Sequence, residues 1–127
     1  MKSFIAVIGL ASFLSLASPI FAQVQEVTSK AQYDTIVANN KGKLVVVDFY
    51  APWCGPCKGF TKVFNALSDT YPAVVFVKVN IDNVPDLAAQ YSVSSIPTFN
   101  FVKNNAVVCT ISGADKKQVE ETIKKHQ

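Results

Sequence analysis

Apolar positions along this chain fall into two rhythms, and each predicts a kind of element. Leu44 to Tyr50 and Ala73 to Asn80 are near-continuous apolar runs, the pattern of strands covered on both faces. From Cys54 to about Thr70, Phe60, Val63, Phe64 and Leu67 recur at three- and four-residue spacing, which predicts a helix with one buried face. A shorter helix carries Tyr33, Ile36 and Val37, with Thr28 or Ser29 as its N-cap and an end near Asn39-Asn40. Another carries Leu87, Ala88 and Tyr91 behind Asn83 as cap, with Pro85 near its start. Gln23 to Val27 reads as a short edge strand. Phe99 to Val102 and Ala106 to Ser112 read as two strands joined at Asn104-Asn105, a pair that tolerates positive φ. Gly113 breaks the second, and Asp115 caps a last helix with Gln118 as capping-box partner.

The resulting order is β-α-β-α-β-α-β-β-α. Alternating strands and helices predict parallel pairing, and the Asn-Asn hairpin adds an antiparallel pair. The fold class is therefore α/β, a mixed central sheet flanked by helices on both faces. At 127 residues, half of them hydrophobic, one compact domain is expected.

The N-terminus departs from these rhythms. Lys2 precedes an apolar run from Phe4 to Ala17, followed by Ser18-Pro19 and a small residue, Ala22, before Gln23. That order predicts a secretory signal peptide over 1–22, cut after Ala22, with Ala17 as second candidate, and a mature domain over 23–127. The run is short for a spanning helix, so a retained anchor is the lesser alternative. It also lacks the Arg and the amphipathic character of a mitochondrial presequence. The expected location is outside the cell or in the secretory lumen. Twelve lysines and no arginine against nine acids give a net charge of +3, scattered rather than striped. Nothing in it predicts nucleic-acid binding.

Candidate chemistry concentrates where the first apolar run ends. Asp48 sits inside that run, and Trp53-Cys54-Gly55-Pro56-Cys57-Lys58 opens the long helix. A thiol at a helix N-terminus meets free N–H groups and the positive end of the dipole, which favour the thiolate. Two residues between the sulfurs leave both on one helix face within bonding distance. A zinc site would need two further ligands, and only Cys109 and His126 remain, without ligand spacing. No metal is expected. Cys109 reads as a small buried hydrophobe, in line with Val107 and Ile111.

The run WCGPCK resembles the thioredoxin active site residue for residue, and the predicted elements match the thioredoxin fold across the mature chain. The resemblance implies thiol–disulfide exchange through a redox-active Cys54–Cys57 disulfide, with no other cofactor. It makes Cys54 the attacking sulfur and Cys57, the less exposed, the resolving one. It makes Asp48 the proton acceptor and donor for the resolving thiol, and Lys78 the lysine paired with it. Trp53, Gly55, Pro56, Ile96, Pro97 and Gly113 would line the substrate groove, with Ile96-Pro97 as a cis-proline loop. Plainer readings stand beside these: a hydrogen-bonded buried acid for Asp48, a surface lysine for Lys78, a strand terminator for Gly113. Tyr50, Gly59, Lys62, Ser95 and Asn105 depart from the common family pattern, and the missing proline after the active site predicts a straighter helix.

Protein disulfide isomerase shares Phe49 to Cys54 but places His at position 56 and Glu at position 48. Pro56, Asp48 and Ile96 side with thioredoxin. A monomeric protein disulfide reductase is expected, with protein disulfides as substrates and thioredoxin reductase as the default electron donor. A secretory oxidase or isomerase, and a partner-binding module without catalysis, are the alternatives.

Overall fold

The computed structural model describes residues 23–127, and the leader assigned to 1–22 lies outside them. The elements are β1 (Val24–Val27), α1 (Lys30–Asn39), β2 (Val45–Tyr50), α2 (Gly55–Thr70), β3 (Val75–Asn80), α3 (Pro85–Gln90), β4 (Thr98–Lys103), β5 (Ala106–Ser112) and α4 (Lys116–His126). The sheet order is β1-β3-β2-β4-β5. β1 and β2 run parallel to β3, while β4 runs antiparallel to both β2 and β5.

Two apolar clusters sandwich this sheet. Val46, Phe76, Phe99 and Ile111 meet Phe60, Phe64 and Leu67 of α2 and Val119 and Ile123 of α4. Val45, Val47, Val77 and Val79 meet Tyr33 and Val37 of α1 and Leu87 of α3 on the other face. Successive strand residues point to opposite faces, so β2 and β3 need apolar residues at nearly every position. Phe64 stacks edge-on to Phe76 at 5.2 Å and Phe60 lies 4.9 Å from Phe99. Burying each such ring stabilises by about 1.5–3 kcal/mol.

Local signals explain most boundaries. Ser29 caps α1, accepting from the Gln32 amide at 3.1 Å, and the Gln32 side chain accepts from the Thr28 amide at 2.7 Å. Asp115 caps α4 by accepting from the Gln118 amide at 3.0 Å. Asn104 and Asn105 both have positive φ, 53° and 64°, so the turn twist matches that of the strands it joins. α2 runs unbroken for 16 residues through Gly59 and Lys62.

Three local expectations fail. α3 is capped by the backbone of Val84, not by Asn83, whose amide instead donates to the Asn80 carbonyl at 3.0 Å in the preceding turn. β3 starts at Val75 rather than Ala73, because the Val74 amide closes a turn on Tyr71. Cys109 does not alternate with Val107. Phe101 pairs with Cys109 and Val102 with Val107, so Val108 is the extra residue of a bulge. Val107 and Val108 are left exposed, while Cys109 is half-buried against the α2–α4 cluster.

Candidate active site

β2 is buried along almost its whole length and ends at Tyr50. The chain then turns through Ala51-Pro52-Trp53, the Cys54 amide donating to the Ala51 carbonyl at 3.2 Å. Cys54 becomes the N-cap of α2, its Sγ accepting from the Cys57 amide at 3.2 Å. Pro56 occupies the first turn, where its missing N–H is not needed by the helix. Cys54 and Cys57 are joined by a disulfide, with Cα atoms 5.3 Å apart. Both are nearly buried, at 6% and 4% exposure, so exposure in the oxidised form hardly separates the two sulfurs. Their surroundings do. Cys54 sits at the cap, with its Sγ 3.8 Å from the Ile96 carbonyl oxygen. Cys57 lies on the inner side of the first turn.

The facing loop comes from the start of β4. The Ile96–Pro97 peptide is cis, and Ile96 packs against Ala51, Cys54 and Cys57. The Gly113 amide donates to the Pro97 carbonyl at 2.8 Å, tying the end of β5 to this loop. Gly113 has φ of +105°, which side chains rarely adopt, so glycine is required by the backbone at that place. Trp53 is 67% exposed, and its Nε1 donates to Asp82 Oδ2 at 2.9 Å.

The family model for thioredoxin matches residues 24–125. This chain belongs to the thioredoxin family. Thioredoxin from Ophiophagus hannah is 42% identical over 103 residues, covering 81% of this chain and 98% of that protein. Thioredoxin from Oryctolagus cuniculus is 43% identical over 100 residues, covering 79% and 95%. Among solved structures, Fasciola hepatica thioredoxin superposes with a TM-score of 0.81 at 39% identity, over 82% of this chain and all of that one. A reduced Schistosoma mansoni thioredoxin pre-protein gives 0.80 at 40% identity, over 83% and 99%. With its disulfide at the start of α2, this chain is a thiol–disulfide oxidoreductase that reduces protein disulfides, and the disulfide is its redox group.

The strand that leads to the disulfide carries a buried acid. Val46 packs with Phe60 and Phe64, so Asp48, two residues on, faces the same side as α2. Asp48 is 2% exposed, and its Oδ1 has no hydrogen-bond partner. Burial pushes its pKa from 3.8 up to about 7; the Lys78 ammonium opposes this and Glu26 adds to it. Asp48 and Lys78 are register partners on neighbouring strands. The expected ion pair between them is not closed. Among the described residues the salt bridges are Lys30–Asp34 and Lys116–Glu120. Lys78 Nζ instead lies 4.3 Å from the centroid of the Tyr50 ring, which competes for the cation with its π face.

The structure thus brings Trp53, Cys54, Gly55, Pro56, Cys57, Ile96, Pro97 and Gly113 to one end of the sheet, with Asp48 and Lys78 below. Sequence reasoning misses Asp82 and Glu26. Asp82 follows β3, and its amide is held by Asn80 Oδ1 at 2.9 Å. Glu26 sits on β1 in phase with inward-facing Val24, and an acid at that phase of an edge strand is the signal that was available.

Proposed function

We propose that this member of the thioredoxin family is exported and works as a monomer, with each site residue in a stated role. Cys54, favoured as thiolate at the N-terminus of α2, attacks a substrate disulfide and forms a mixed disulfide. Cys57 gives its proton to the Asp48 carboxylate and attacks Cys54. The Cys54–Cys57 disulfide forms, and the substrate thiolate leaves and takes up the proton from Asp48. Ile96 offers backbone groups to an extended substrate strand beside Pro97 and Gly113, and Trp53 covers its flank. The observation that carries this reading is Cys54 at the helix cap, bonded to Cys57, with the strand before it carrying a buried acid whose Oδ1 has no hydrogen-bond partner. Export rests on the Lys2-to-Ala22 pattern, and thioredoxin reductase is the electron donor the family suggests.

Trapping tests the division of labour between the sulfurs. Cys57→Ser should accumulate stable mixed disulfides with protein substrates, and Cys54→Ser should accumulate few. Alkylation of the reduced protein at neutral pH should label Cys54 before Cys57 and Cys109. Faster labelling of Cys57, or trapping by Cys54→Ser, would reverse the assignment.

A further inference from the structure

One aromatic side chain reaches from the dithiol to the sheet surface, and it is tethered at its far end. Tyr50 packs against Ala51, Cys54 and Cys57. Its hydroxyl donates to Glu26, 2.9 Å from each carboxylate oxygen. Glu26 is on β1 and Tyr50 on β2, with β3 between them, so the tyrosine bridges a whole strand. Lys78 lies on the strand that is bridged, its Nζ 4.3 Å from the ring centroid.

The row below this bridge is an acid, a base and an acid. Glu26 is in register with Lys78, and Lys78 with Asp48, all on the face covered by α2. A lysine between two carboxylates ordinarily closes on one of them, and here it closes on neither. The other groups around Asp48 offer no rival charge. Its β4 register partner is Phe99, Cys57 is the titratable group on the inner side of α2, and Lys58 and Lys62 of that helix are exposed. The position of Lys78 therefore decides whether Asp48 is a free carboxyl or half of an ion pair.

We propose that Glu26 and Tyr50 are positioning residues for proton transfer at Cys57: anchored on the Glu26 carboxylate, the Tyr50 ring holds the Lys78 ammonium off Asp48. A closed Lys78–Asp48 pair would fix Asp48 as a carboxylate and weaken it as a base. Held over the ring, the ammonium attracts at a distance and donates no hydrogen bond. This rests on Asp48 as acceptor of the Cys57 proton.

The test follows the Asp48 carboxyl by carbon-13 NMR in the oxidised protein, where neither Cys54 nor Cys57 titrates. Tyr50→Phe keeps the ring and breaks the tether. It should lower the Asp48 midpoint by roughly one pH unit, the effect of bringing an opposite charge into contact. In a Lys78→Met background the same substitution should move nothing. Glu26→Gln should shift the midpoint further with Lys78 present than with Met there, the remainder being its own lost charge. A Tyr50→Phe midpoint that stays in place, or moves equally in both backgrounds, overturns the proposal. Equal Glu26→Gln shifts overturn Glu26 as the anchor. Glu26 is exposed and Tyr50→Phe deletes only a hydroxyl, so both variants should fold. The pH profile of mixed-disulfide resolution separates the two layers. Its limb should move with the NMR midpoint in Tyr50→Phe and vanish in Asp48→Asn. A limb that survives Asp48→Asn sinks the proton-transfer reading, whatever the NMR midpoints do.

Discussion

Asp48→Asn removes one buried ionisable group and almost no volume, so proton binding governs how its effect varies with pH. In the folded protein, burial pushes the carboxyl from 3.8 to about 7. Between those values the folded state holds a proton that the unfolded chain has released. Stability then falls as pH rises, by about 1.4 kcal/mol per pH unit. The contribution is fully present below the unfolded value and is lost as pH passes the folded one. Over a shift of roughly three units the loss amounts to about 4 kcal/mol. Asparagine has no such slope, and any offset from burying its amide does not vary with pH. Urea unfolding of the oxidised proteins, from about pH 4 to about pH 8.5, measures the difference. Other titrating groups are common to both proteins and cancel. The variant should gain steadily on the wild type up to pH 7 and hold a lead of about 3–4 kcal/mol above it, apart from the constant offset. A difference that is flat with pH would refute a desolvated acid. A lead that shrinks as pH rises would mean the carboxylate is the favoured form, as in a closed pair with Lys78.

The remaining predictions concern the leader and the residue between the sulfurs. Exported protein should begin at Gln23, or at Ser18 if the earlier site is cut, by mass and N-terminal sequencing; soluble exported material starting at Met1 would defeat the assignment. Pro56→His places a side chain able to carry positive charge in the first turn of α2, beside Cys54. Equilibration with glutathione should show the potential raised by several tens of millivolts, each 30 mV being about 1.4 kcal/mol. An unchanged or lowered potential would contradict the electrostatic account.

What is legible in the chain follows the range of the interaction. β2 and α2 are legible because their spacing alone reports burial, and the dithiol because its chemistry is local. The hairpin at Asn104-Asn105 is legible because the turn needs positive φ from both residues. The bulge at Val108 is not, since it is a property of pairing with β4 and every residue there suits a strand. The same limit hides the Glu26–Tyr50–Lys78 arrangement. Their positions are 24 and 28 residues apart, and only the β1-β3-β2 order makes them neighbours. Lys78 itself is found in the sequence, but its choice of ring over carboxylate is decided by a tyrosine that sequence comparison marks merely as a departure.

The sheet order also divides the site by how readily its parts open. β2 is flanked by β3 and β4 and buried at five of its six positions, so its amides should exchange with solvent only when the whole domain unfolds. β1 is a four-residue strand at the sheet edge and is bonded on one side. Its amides belong to the fraying end of the stability range. Asp48 thus rides on the last strand to open, and Glu26 on one of the first. Warming the protein would loosen the tether on Tyr50 well before it disturbed the buried acid of β2.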